Sequence, residues 1–123
     1  MDPVSLGCAM QSPWQLVSGG VTAPQGFAAS GIAAGLKPSG KPDLALLLAP
    51  EGAVCAGAFT TAGVRAACVD LCVERLESTG GRARAVLINS GQANACTGDR
   101  GLIDSQRATQ ALADQLGLDS EAV

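Results

Sequence analysis

The sequence predicts an α/β protein with helices packed on a β-sheet, and three observations predict it. Short apolar runs bounded by Gly and Pro, at residues 43–49 and 82–88, have the length and flanks of strands. Two longer stretches, residues 66–76 and 102–116, repeat apolar side chains at helical spacing. Strand-like and helix-like stretches then alternate through the second half of the chain, the order of a layered α/β fold.

Residues 1–18 read as an irregular leader and residues 19–123 as a partial N-terminal α/β domain. Gly19-Gly20-Val21-Thr22-Ala23-Pro24 is a turn into an extended segment, and residues 27–34 form a strand of mainly small side chains. Residues 35–42, GLKPSGKP, are an exposed hairpin loop. Residues 43–49, DLALLLA, are apolar almost throughout, as in a strand covered on both faces. Pro50-Glu51-Gly52 turns the chain, and residues 53–60 return as another strand, making a hairpin.

In residues 66–76, Cys68, Val69, Cys72, Val73 and Leu76 recur at helical spacing with Asp70, Glu74 and Arg75 between them, and Gly80-Gly81 closes the helix. Residues 82–88 are a strand that alternates before becoming wholly apolar. In residues 102–116 the buried stripe is Ala108, Ala111, Leu112 and Leu116. Thr97 or Asp99 supplies the N-cap, and Gly117 sits where a left-handed residue ends a helix, with Leu118 beside it. Ala122-Val123 begins a new apolar run, from which we expect a chain truncated at its C-terminus.

Composition narrows the function classes. The chain of 123 residues fits one domain. With 47% hydrophobic and 15% charged residues it has the make-up of a folded protein. Aromatics are 2% and Gly numbers 16, so the core must be built from thin side chains and close backbones. A net charge of −3 without any Lys/Arg block speaks against nucleic acid and anionic membrane surfaces as partners. No apolar run approaches the roughly 18 residues of a membrane span, and the opening MDPVSLGCAMQSPWQL lacks a basic n-region, so we expect a cytoplasmic protein. There is no His, which removes the usual general base and the commonest metal ligand. The five cysteines, Cys8, Cys55, Cys68, Cys72 and Cys96, fit no zinc spacing; we read them as buried, inert thiols and expect no metal.

Three motifs have both a functional and a plain reading. Residues 35–41 match the spacing G-x-x-x-x-G-K, but Pro42 stands where a magnesium-binding hydroxyl is needed and a strand follows instead of a helix, so a hairpin loop is the better account. Thr60-Thr61 ends a strand and has no evident activating base, which favours ordinary β-formers over a nucleophile. Residues 89–98, NSGQANACTG, lie between a strand and an amphipathic helix, where open α/β sheets place binding crevices. Asn89, Ser90, Asn94 and Thr97 either orient a substrate or satisfy backbone groups in turns. Asp43 reads as a polar residue opening a strand, not as an acid catalyst.

Several stretches taken together resemble the N-terminal part of the ornithine acetyltransferase family, also called bifunctional glutamate N-acetyltransferase, of arginine biosynthesis. They are GVTAPQGF at 20–27, Gly35-Leu36-Lys37 followed by Asp43-Leu44-Ala45, AGAFTT at 56–61 with Ala66-Ala67, and Asn89-Ser90-Gly91 with ANACTG at 93–98. Their order and spacing agree from about residue 19 to the end, and the block from Asn89 to Gly98 is the most specific. The sequence departs from the family at Ala62 and Gln92, where Asn is usual, and at Cys68, where Pro is usual. Gln92 keeps an amide, whereas Ala62 and Cys68 remove an amide and a rigid turn and would reshape the loop after Phe59.

The resemblance implies the layered sandwich of that family, with helices packed on β-sheet, of which only the N-terminal portion is spanned. It implies a precursor that cleaves itself before a Thr into an α and a β chain that stay together as a hetero-oligomer. The freed Thr takes acetyl from N-acetylornithine as an acyl-enzyme and passes it to glutamate, its own α-amine serving as base; some members also use acetyl-coenzyme A as co-substrate, and no bound cofactor is implied. The nucleophilic Thr and an oxyanion Thr-Gly stretch are expected beyond Val123, so this chain alone is expected to be inactive. Asn89, Ser90, Asn94 and Thr97 are then candidates for supporting the site. The rival readings are an amidohydrolase or peptidase of the same fold, and a non-catalytic binding fragment completed by a partner.

Overall fold

The structure, a computed structural model, describes residues 12–123. Three strands, β1 (Ala28–Ile32), β2 (Leu44–Leu48) and β3 (Ala85–Asn89), form an antiparallel sheet in the order β1-β2-β3. The helices are α1 (Ala67–Ser78) and α2 (Gly98–Leu116), followed by a 3-10 turn at Ser120–Ala122. The strands contact one another and the helices contact one another; helix against strand is the weaker association. The result is a sheet and a helical pair with open space between them.

β1 and β2 form the hairpin, with Ala28 opposite Leu48 and Ile32 opposite Leu44, so its loop is the Gly- and Pro-rich stretch 33–43. β2 then pairs with β3, Leu44 opposite Asn89 and Leu48 opposite Ala85. The strand expected at residues 53–60 does not form. Only Val54 makes an isolated bridge, to Arg82, because β2 already has β1 on one edge and β3 on the other. The expectation that residues 43–49 are covered on both faces is not met either: β2 is half-buried along its whole length.

Asp43 explains why the hairpin loop holds its shape. Its carboxylate accepts the backbone N–H of Ala34 at 2.6 Å and of Lys37 at 2.7 Å, while Gly40 N–H closes a turn onto the Lys37 carbonyl. These two amides, Ala34 first and Lys37 second, hold the Asp43 carboxyl below its ordinary value, against the opposing effect of burial. Two amide donors and a short turn thus organise a loop that has no regular structure.

α1 has no side-chain N-cap, and its first turn is joined to the preceding loop by the ion pair Arg65–Asp70. Cys68 lies inside that first turn, so its departure from the family's Pro falls at a helix start, a position that tolerates either residue, and not in the loop. At the other end the Thr79 hydroxyl donates to the carbonyl of Arg75, and Gly80 and Gly81 take positive φ. α2 begins one turn earlier than its apolar pattern suggested and ends as expected: Gly117 is left-handed, and its N–H and that of Leu118 both reach the Ala113 carbonyl. The buried stripe of α2 is only half as expected. Leu112 and Leu116 are half-buried, but Gly101 and Ala113 are its buried residues, and Ala108 and Ala111 are exposed.

The core is thin. Leu71, Ala85 and Ala113 are the buried apolar residues among those described, and Asp43 and Arg75 are buried with them. The expectation of buried thiols fails: Cys68, Cys72 and Cys96 are exposed and Cys55 half-buried, while Cys8 lies outside the described residues. With almost no bulky side chains to close over them, the cysteines of α1 stay open to solvent.

Candidate functional site

The loop that follows β3 is bound to its surroundings at both ends. At the start, Ser90 N–H donates to the Asp43 carbonyl at 2.9 Å, which ties it to the residue that organises the hairpin loop. Gly91 has φ 100°, and a Cβ there would stand 2.5 Å from the Lys37 side chain, so the two loops touch at a point where only glycine fits. In the middle, Ala95 bridges to Ala66 just before α1, and Cys96 takes φ 57°.

At the far end the polar side chains engage one another. Thr97 Oγ1 donates to Asn94 Oδ1 at 2.8 Å, and Asn94 Nδ2 donates to Ser105 Oγ at 3.3 Å. Ser105 in turn donates to the Gly101 carbonyl. Gly101 has no Cβ because Thr97 and Asn94 occupy that space. Thr97 stands at the N-cap position of α2, but its backbone is helical and its hydroxyl makes no cap bond; the cap expected of Thr97 or Asp99 is replaced by the link to Asn94.

Beside this loop a cleft of about 600 Å³ runs between β3 and the two helices. Asn89, Asn94 and Thr97 line it, while Ser90 does not. Two of the four candidates, Asn94 and Thr97, are thus joined directly; Asn89 shares only their cleft, and Ser90 is engaged through its backbone instead. Deeper in, Leu71, Cys72 and Leu76 of α1 face the cleft. Partial burial there, with the Cys68 thiol nearby, pushes the Cys72 thiol up.

Arg75, a polar position between the apolar residues of α1, has a role that the sequence does not announce. Its side chain is 8% exposed, it lines the cleft, and its Nη1 donates to the Val123 carbonyl at 2.8 Å. Glu121 forms an ion pair with Nε at 3.9 Å, too long for a hydrogen bond, so this buried N–H has no hydrogen-bond acceptor. Its place one turn from Leu71, on the same helix face, was the available signal.

Two further hydroxyls serve backbone geometry. Thr60 Oγ1 accepts the N–H of Ala62, and Thr109 Oγ1 donates to the Ser105 carbonyl. No group of three or more Cys, Asp or Glu side chains is placed to hold a metal among the described residues. No helix among them is long and apolar enough to cross a membrane. The arrangement can hold and orient a neighbour, through amides and one buried guanidinium.

The ArgJ family profile matches residues 28–123. The chain belongs to the ArgJ family. It is 87% identical over its whole length to the arginine biosynthesis bifunctional protein ArgJ of Parasynechococcus marenigrum (strain WH8102), of which it covers 30%. It is 68% identical to the protein of that name from Prochlorococcus marinus (strain MIT 9313), covering 29% of it. Among solved structures it is similar to the ornithine acetyltransferase of Mycobacterium tuberculosis complexed with ornithine, with a TM-score of 0.78 and 44% identity over 85% of this chain and 56% of that one. The ArgJ of Bacillus halodurans gives a TM-score of 0.80 at 34% identity, over 85% of this chain and 54% of that one. The α/β architecture is therefore that of the N-terminal portion of ArgJ, and the chain spans about 30% of the length of the curated relatives it matches.

Proposed function

We propose that this chain is the N-terminal part of an acetyltransferase precursor that moves acetyl from N-acetylornithine to glutamate in arginine biosynthesis, with acetyl-coenzyme A as a second donor. The observation that carries this reading is 44% identity, over 85% of the chain, to an ornithine acetyltransferase that holds ornithine. The 87% identity to an arginine biosynthesis bifunctional protein supports it further. In this reading the acyl-enzyme Thr and the oxyanion donors belong to the portion of the precursor outside this chain. The α and β chains stay assembled after cleavage, in the cytoplasm, and the substrates are small amino acids.

Within that enzyme Asn89, Ser90, Asn94 and Thr97 act as site-supporting residues. Asn94 and Thr97 fix the entry to α2 through their 2.8 Å bond, and Ser90 fixes the end of β3 against Asp43. None of them is given a bond-making step. The test is to express the whole precursor and measure acetyl transfer from N-acetylornithine to glutamate, alongside this chain by itself. Transfer by the cleaved precursor and none by residues 1–123 is the expected result. A whole precursor that hydrolyses amides but transfers no acetyl would overturn the reading in favour of an amidohydrolase of the same fold.

A further inference from the structure

We propose that Arg75 is a positioning residue, whose buried guanidinium fixes how the chain leaves Val123 and so where the rest of the precursor begins. The proposal rests on the reading of this chain as the N-terminal part of an acetyltransferase, and adds a residue on which the placement of the reacting groups depends.

Three successive residues at the end of the chain are each held from elsewhere in the fold. The Glu121 carboxylate accepts the Ser78 hydroxyl at 3.0 Å, the Ala122 carbonyl accepts the Arg84 N–H at 2.7 Å, and the Val123 carbonyl accepts Arg75 Nη1 at 2.8 Å. The turn that carries them is closed on itself, because the Asp119 carboxylate accepts the N–H of Glu121. Arg75 and Val123 border the same cleft as Asn94 and Thr97, so the segment that Arg75 places starts at the space those two residues line.

Of the three ties, the one from Arg75 is the one that its side chain is specially suited to make. The tie from Arg84 uses a backbone N–H, which any residue but Pro supplies, and the tie from Ser78 is exposed to water. The Arg75 side chain is 8% exposed, so its guanidinium has lost most of its hydration. Apolar side chains of similar volume often serve stability at such a place as well or better. What the guanidinium adds is direction, since its planar fork presents donors at fixed angles. Nη1 is committed to Val123, whereas the buried Nε–H has no hydrogen-bond acceptor among the described residues, the ion-paired Glu121 carboxylate standing 3.9 Å away. The fork is therefore half used, with one donor left for the chain that follows Val123.

The experiment uses the whole precursor, as wild type, Arg75→Met, Arg75→Lys and Gly52→Ala. Gly52 lies in an exposed turn with φ 79° and a Cβ there meets nothing, so Gly52→Ala destabilises through backbone strain while leaving the three ties alone. Hydrogen exchange followed by mass spectrometry reads the placement of the chain end. The kcat and KM for N-acetylornithine, at a temperature where all four proteins are folded, read its consequence. Losing a charged donor should speed exchange across residues 118–123 about tenfold or more in Arg75→Met, with residues 44–48 unchanged. The kcat should fall about tenfold or more while KM stays within about twofold, because misplaced reacting groups slow the chemistry more than they weaken binding. Arg75→Lys keeps a donor and should recover part of both, and Gly52→Ala should change neither. Unchanged exchange at 118–123 in Arg75→Met, or faster exchange there with kcat unchanged, overturns the proposal. So does an equal fall in kcat in Gly52→Ala, which makes lost stability the whole cause. A wild-type precursor that transfers no acetyl sinks the reading of the enzyme, and the exchange comparison then decides by itself whether Arg75 places the chain. Should Arg75→Met not fold, Arg75→Lys set against Gly52→Ala makes the same comparison.

Discussion

Arg75 Nη1 donates to the carbonyl of Val123 at 2.8 Å, joining the last turn of α1 to the end of the chain. A charged donor on a partly buried carbonyl is among the stronger hydrogen bonds, and removing it leaves that carbonyl without this donor. Arg75→Met keeps the length and apolar stem but deletes the donors. We expect it to cost about 2 kcal/mol, read as a lower midpoint in urea unfolding. The accompanying Glu121 is half-exposed and 3.9 Å away, so Glu121→Gln should shift the midpoint far less.

Asp43 gives a pH signature. Its folded carboxyl is held below the ordinary value of 3.8, by the Ala34 amide first and the Lys37 amide second. A lowered folded value means that the unfolded chain binds the proton more readily. The stabilisation is therefore complete above 3.8 and is lost as the pH falls through the lowered folded value. Asp43→Asn should be less stable at neutral pH, where one amide loses its acceptor, and should show a flatter acid limb. Thermal unfolding from pH 2 to 7, compared with wild type, measures both; parallel acid limbs would refute the assignment.

Gly101→Ala puts a methyl group where Thr97 and Asn94 already stand. Overpacking of this kind costs about 1–3 kcal/mol. Thr97→Gly removes the obstructing side chain, so the double variant should recover part of the loss. Equilibrium unfolding of the two single variants and the double closes a cycle, and strict additivity would show that the two sites do not meet.

Gly117 tests backbone alone. Its φ is 64° and a Cβ there meets nothing, so Gly117→Ala carries only the left-handed penalty, about 1 kcal/mol, and Gly117→Asn less. The loss of α2 helicity on heating, followed by circular dichroism, should order the three as Gly, Asn, Ala.

How far the sequence foretold this fold depended on whether neighbours in sequence or in space decide the outcome. Gly117 and Leu118 were legible because a helix end is a local event. The segment 44–48 was legible as a strand by its unbroken apolar run, but its partners were not. Pro50-Glu51-Gly52 has good turn chemistry and makes its turn, with Ala53 N–H on the Pro50 carbonyl; the edge of β2 beyond it is simply taken by β3. Ala108 was misread because helical spacing marks a face as apolar without saying what lies against it, and here it faces open space. In the candidate site, Asn94 and Thr97 were legible as small polar groups three apart at a helix entrance. The role of Arg75 was not, since its partner carbonyl stands 48 positions away.

The thin core also governs how the molecule comes apart. Of its buried apolar residues, Leu71 and Ala113 belong to the helices and Ala85 to the sheet, and the two layers touch each other less than they touch themselves. Cooperativity spreads through packed contact, so the hairpin and the helical pair are expected to open as separate units. Amide protons of β1, exposed along its whole length, would exchange first, and those of α1 and α2 last. A chain built this way holds its local shape while its halves breathe independently.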